Sequence, residues 1–210
     1  MTQVDAVEGP TEMITRGEIV KAMGKMKSGK AAGPSKVSLE MITSSGVVEI
    51  NVMMELCQQV LDGRGMPEDW KMSVVIPIFK RDVMNYEAYR GVKLLEHAMK
   101  IVESVLESRI RLLVNLDEME FGFMPGKGAT DALFLIHRMQ EEYRDKGKLL
   151  YMCFVDLEKA FDCVPRKMME WALRKKGLPE MLVIAVMSLY EGAKTKVRVG
   201  TELSEQFCVK

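Results

Sequence analysis

In residues 151–165, YMCFVDLEKAFDCVP, Asp156 directly follows a nearly unbroken apolar run, residues 149–155. Such a run predicts a strand buried on both faces, with the carboxylate held on a rigid element at the strand's exit and open to solvent. That is a suitable placement for a hard divalent cation, which takes oxygen ligands and leaves part of its shell to phosphates and water. Two such ions roughly 3.5–4 Å apart can activate an attacking hydroxyl and stabilise a departing pyrophosphate. A lone strand-end aspartate more often just opens a turn, so the residues around it must decide. A second phosphate-type pattern, residues 24–31 (GKMKSGKA), nearly fits G-x-x-x-x-G-K-[ST]. It fails twice: Ala31 lacks the hydroxyl that would hold magnesium, and the pattern follows a helix signal instead of a strand.

The elements that must position these groups are readable in outline. Thr15 and Glu18 form a T-x-x-E capping box ahead of Ile19, Val20, Met23 and Met26 at helical spacing, with the helix ending near Gly29. Short helical turns at 39–42 precede a helix over 47–61, stopped by Gly63 and Gly65. SVVIPIF, residues 73–79, suits a strand whose Pro77 belongs at an edge or bulge. A polar loop follows, and residues 96–116 and 131–143 read as amphipathic helices. Pro165 opens a helix that Gly177 closes, and another spans 179–190. KTKVRVG and QFCVK then resemble a β-hairpin. Helices and strands alternate without tight β-α-β spacing, so the fold class is α+β, helix-rich with a small antiparallel sheet.

Composition narrows the function classes. Nearly half the 210 residues are apolar, and 30 basic residues balance 30 acidic ones. The balance is global and not local: residues 21–39 hold five lysines and no acid, a patch suited to phosphate. Four scattered cysteines without a C-x-x-C pair, and two histidines remote from them, argue for reduced thiols and no structural zinc. The apolar stretches fall short of the roughly 20 residues of a membrane helix, and the acidic N-terminus is no secretory signal. An intracellular protein is expected, with nucleus or cytoplasm left open.

FVDLEKAFDCVP closely resembles motif A of the reverse transcriptases of non-LTR (LINE-like) retrotransposons, F-x-D-x-x-x-A-F-D. The resemblance implies that Asp156 is the catalytic, metal-binding aspartate and that the Leu157 backbone carbonyl is a further ligand. Phe161 matches the bulky residue beneath the incoming sugar, and Asp162 an aspartate that supports the turn. Nearly the whole chain takes part. SGKAAGPSK, residues 28–36, resembles the K-A-x-G-P-D-G segment placed against the template, which assigns template or primer contacts to Lys30, Gly33 and Pro34; Ser35 stands for the usual Asp and Lys36 for the usual Gly. VVIPIFK, residues 74–80, resembles the fingers strand whose terminal lysine meets the triphosphate, here Lys80. YRGVKLL, residues 89–95, resembles the element whose arginine also grips it, here Arg90. EFGFMPGKGATDAL, residues 120–133, resembles Q-x-G-F-x-x-G-R-S-T-x-D-A.

By this resemblance the chain is a partial right hand: a loose tail over 1–14, fingers over 15–95, palm with motif A over 96–190, and a hairpin over 191–210 that returns to the fingers ahead of motif B. The implied activity is RNA-directed DNA synthesis with two Mg2+ ions, an RNA template, a DNA primer and deoxynucleoside triphosphates, and no membrane. No Asp-Asp pair of the F/Y-A-D-D kind occurs in these residues, so the 210-residue chain alone is expected to be inactive. The alternative is a catalytically dead remnant that at most binds nucleic acid.

Overall fold

In the computed structural model, residues 4–9, 12–44, 46–79, 89–157, 160–161 and 163–209 are described. They form two compact units, residues 1–114 with 166–210 and residues 115–165.

The first unit is built on the helix signals. Helix α1 (Arg16–Lys25) starts at the expected capping box: the Glu18 N–H donates to Thr15 Oγ1 at 3.3 Å, and the Thr15 N–H to Glu18 Oε2 at 2.8 Å. It ends at Lys25, before Gly29, because Met26 is already extended. Helix α2 (Leu39–Ser44) is short, and α3 (Val47–Leu61) has the expected bounds. Helix α4 (His97–Leu113) presents Met99, Ile101, Val102, Val105 and Leu106 to the core. Helices α6 (Arg166–Lys175) and α7 (Glu180–Ser188) follow Pro165 and Pro179, with Gly177 at φ +77° between them. Ile19, Leu61, Ile101 and Leu182 are at most 1% exposed, so α1, α3, α4 and α7 share one apolar core. Each such side chain contributes about 1.5–3 kcal/mol through burial.

The sheet is mixed, which corrects the antiparallel expectation. Strand β1 (Met72–Phe79) pairs antiparallel with β2 (Tyr89–Leu94) and parallel with β3 (Lys194–Val199). A parallel pair needs a long crossover, and four helices separate β1 from β3. Ser73 and Thr195, opposite each other, tie these strands further: Ser73 Oγ donates to the Lys194 carbonyl at 3.0 Å and Thr195 Oγ1 to the Ser73 carbonyl at 3.3 Å. The β3 register stops at Val75, so Pro77 lies where β1 has β2 alone beside it, the edge-like place a proline requires. The expected C-terminal hairpin is present, β3 pairing with β4 (Glu202–Leu203) and β5 (Phe207–Cys208).

Residues expected to be a loose tail are held where they are described. The Glu180 N–H donates to the Val7 carbonyl at 3.0 Å, and the Ile14 N–H to Gln58 Oε1 at 2.9 Å. Ile14 joins the core at 6% exposure, and this burial offsets the entropy lost on ordering.

The second unit carries α5 (Ala129–Asp145), whose Leu133, Phe134, Leu135 and Met139 are all exposed. Residues 149–155 are not a strand, and Leu149, Tyr151, Phe154 and Val155 are 75–85% exposed. This corrects the buried-strand expectation. A strand persists only when its backbone groups find a ladder, and no described strand pairs with this run. Among the described residues, no helix is long and apolar enough to cross a membrane.

Candidate functional site

The loop between α1 and α2 carries Lys30, Gly33 and Pro34, and it is fastened at both ends by carboxylates. The Gly29 N–H donates to Glu40 Oε1 at 2.8 Å, a bond that holds the Glu40 carboxyl down at about 2. A P-loop would offer such amides to phosphate, and here this one already has an acidic partner. At the other end Ser35 donates to Glu96 twice, from its N–H to Oε1 at 2.8 Å and from Oγ to Oε2 at 2.5 Å. Glu96 is 4% exposed.

Gly33 explains why this loop tolerates no side chain at its centre. A Cβ there would lie 2.7 Å from Glu96 N and 2.8 Å from the Leu95 carbonyl carbon. Three residues later, the Lys36 N–H closes a turn on the Gly33 carbonyl at 3.0 Å, with Lys36 at φ +63°. Lys36, which stands where the resembling segment has glycine, thus takes a left-handed backbone. Lys36→Gly is expected to raise stability by about 0.5–1 kcal/mol, because glycine removes the Cβ penalty but gains unfolded-state entropy. A thermal melt with an unchanged or lower midpoint would contradict this.

The lysine patch divides into one paired residue and four exposed ones. Lys25 faces α4, its Nζ donating to Ser108 Oγ at 3.1 Å and lying 3.6 Å from Glu107. Lys21, Lys27, Lys30 and Lys36 are exposed. Leu95 and Glu96 follow β2 directly, and exposed Arg90 on that strand pairs in register with Ile78 of β1. Gly33 is thus packed onto the chain some five residues beyond Arg90, about 16 Å along an extended strand. Lys80 follows the last residue of β1 and lies outside the described residues, as does Asp162.

In the second unit Asp156 and Leu157 are exposed on the irregular segment after residue 155. Phe161 is 81% exposed and meets Phe123 edge-to-face, with ring centroids 5.8 Å apart and planes at 83°. Phe123 has φ +55°, a strained value for an aromatic residue. Sequence reasoning did not single out Phe123, although its place in the EFGF segment was a signal. The loop is braced by Lys127, whose Nζ donates to the Glu118 carbonyl and lies 5.3 Å from the Phe121 ring centroid. The Asp131 carboxylate accepts the Gly128 N–H at 2.7 Å at the start of α5.

The described oxygen donors of this unit do not make a metal centre by themselves. Among the described residues no three His, Cys, Asp or Glu side chains cluster to hold an ion, and one carboxylate with one carbonyl is too few. The cysteines are all free, and burial pushes the Cys57 thiol up to about 12.

Comparison with known proteins supplies the wider frame. No protein-family profile matches the chain. It is 30% identical over 116 residues to the Retrovirus-related Pol polyprotein from type-1 retrotransposable element R2 of Nasonia vitripennis, which covers 55% of this chain and 11% of that protein. It is 22% identical to the Pol polyprotein from type-2 retrotransposable element R2DM of Drosophila melanogaster, over 78% of this chain and 16% of that protein. It is also 22% identical to the RNA-directed DNA polymerase from mobile element jockey of Drosophila funebris, over 90% of this chain and 21% of that protein. The chain thus spans between about a tenth and a fifth of these relatives. The homologues of this chain are accordingly the reverse-transcriptase Pol proteins of the non-LTR retrotransposons R2 and jockey, as its motif A resemblance implied.

Proposed function

We propose that this chain is the fingers and first palm portion of a retrotransposon RNA-directed DNA polymerase. The observation that carries the reading is the order of its motifs. The template loop, the triphosphate lysine and arginine, the EFGF segment and motif A occur in family order, in a chain up to 90% of which aligns with proteins named for that activity. In this reading residues 15–95 are fingers, 96–190 palm and 191–210 a hairpin ahead of motif B. The partners are an RNA template, a DNA primer and deoxynucleoside triphosphates, inside the cell. Mg2+, two ions in the intact enzyme, is the proposed cofactor, with Asp156 and the Leu157 carbonyl as part of its ligand set and Asp162 supporting the turn.

The roles proposed for the other residues follow from their chemistry. Phosphoryl transfer gathers charge on equatorial oxygens, which a lysine and an arginine can neutralise; Lys80 and Arg90 are assigned to the triphosphate. Phe161 would sit beneath the sugar and reject a ribose 2′-hydroxyl by clash. Lys30, Gly33 and Pro34 would face the template or primer backbone, where contacts position without reading sequence.

The test uses the purified chain with a labelled RNA–DNA hybrid and with a primed RNA template, Mg2+ and nucleotides. Binding that weakens steeply with salt is expected, together with no incorporation, since one carboxylate cannot build a two-metal site. Hybrid binding indifferent to salt would overturn the polymerase reading, and nucleotide incorporation would overturn the assignment of a lone carboxylate. Lys80→Ala with Arg90→Ala should weaken any triphosphate binding by about tenfold or more. Equal affinity in the double variant removes their role.

A further inference from the structure

Glu96 occupies the N-cap position of α4, yet its side chain makes no capping bond to that helix. Its carboxylate instead accepts both the N–H and the Oγ–H of Ser35, a residue 61 positions away. A buried carboxylate is costly without donors, so the Ser35 segment cannot leave without stranding it. Gly33 reinforces the attachment by packing its backbone onto the Leu95–Glu96 peptide, closer than any side chain would allow. The Lys36 turn and the Gly29–Glu40 bond then stiffen the loop on either side. The result is a loop with exposed Lys30 and Lys36 joined rigidly to the end of the strand that bears Arg90.

We propose that Glu96 is a positioning residue, which fixes the spacing between the cations of the 28–36 loop and Arg90 so that both meet one nucleic-acid backbone in register. The inference rests on the nucleic-acid-binding part of the proposed function and adds the residue that sets the geometry. Glu96 itself, buried and acidic, touches no phosphate in this scheme. Its loss has opposite consequences under the rival explanations. Removing a negative charge would by itself strengthen attraction to a polyanion, and a purely structural role would lower the melting temperature without altering affinity in the folded chain. A positioning role requires weaker binding.

The experiment compares the 210-residue chain with Glu96→Met, Ser35→Ala and Ser35→Thr. Anisotropy of a labelled RNA–DNA hybrid is measured across a salt series, well below each variant's melting temperature. Amide exchange of residues 28–38 is followed in parallel. Glu96→Met and Ser35→Ala should bind about tenfold more weakly, with a salt slope shallower by about one phosphate contact and faster exchange in the loop. Ser35→Thr, which keeps both donors, should restore affinity and slope. Folded variants that bind with wild-type affinity and slope, or more tightly, overturn the positioning role. Should Glu96→Met fail to fold, Ser35→Ala carries the same comparison. A wild-type chain without salt-dependent hybrid binding sinks the proposed function itself and this inference with it, an outcome distinct from equal binding by the variants.

Discussion

Replacing Arg109 by methionine is expected to lower the unfolding free energy by about 3 kcal/mol, measured by urea denaturation near neutral pH. The size follows from what the guanidinium holds. Its Nε and Nη2 donate to the two Glu18 carboxylate oxygens at 2.6 and 3.0 Å, and Nη1 and Nη2 to the Glu12 and Met13 carbonyls at 2.6 and 2.9 Å. The Arg109 side chain is 11% exposed and that of Glu18 26%. Methionine conserves much of the packing but leaves a partly buried carboxylate and two carbonyls without these donors. An exposed ion pair would contribute well under about 1 kcal/mol; burial and the fork geometry place this one higher.

The same contact sets a pH dependence. The Arg109 hydrogen bond, with further help from Thr15, outweighs desolvation and holds the Glu18 carboxyl down from 4.5 to about 2. The folded chain therefore binds this proton more weakly than the unfolded chain. The associated stability is complete above about 4.5 and drains away as pH falls toward about 2. Urea midpoints taken from pH 6 to pH 3 should fall less in Arg109→Met than in the wild type. Parallel curves would show that the contact is not formed in solution.

Gly33→Ala is expected to cost about 3 kcal/mol or more, at the upper end for overpacking. The new methyl would meet backbone atoms at 2.7–2.9 Å, and backbone gives way less readily than a side chain end. Relief requires the loop to lift from the Leu95–Glu96 peptide, which also breaks the two Ser35–Glu96 bonds. Gly24→Ala is the matching control. Gly24 lies in α1 with nothing within 4 Å of its Cβ position, and alanine there should stabilise by up to about 1 kcal/mol. Calorimetric shifts of opposite sign are the expected pair of results. Equal shifts would mean that the loop is not seated against the start of α4.

Much of this protein was legible as sequence wherever the determining interactions are local. The Thr15–Glu18 box placed α1, glycines after Leu61 bounded α3, and Pro165 with Gly177 bracketed α6. The spacing of Met99, Val102, Val105 and Leu106 marked the buried stripe of α4. Caps and stripes depend on residues three or four apart, so composition within one or two turns is sufficient. The motifs that carry the family resemblance are likewise local, being short runs of consecutive residues around Asp156, Arg90 and Gly33.

Tertiary structure alone decided the remainder. Residues 149–155 had the composition of a buried strand, but a strand exists only by virtue of its neighbours, and no described strand pairs with this one. The parallel β1–β3 pairing, the Arg109 clip spanning 91 positions and the Ser35–Glu96 attachment spanning 61 all join residues whose local patterns do not refer to each other. Nothing near Glu96 distinguishes a helix-capping acid from one committed to a distant loop. Local propensities select the elements; hydrogen bonds and burial between remote residues select how those elements meet, because each such contact must first offset the entropy of closing the chain between its partners.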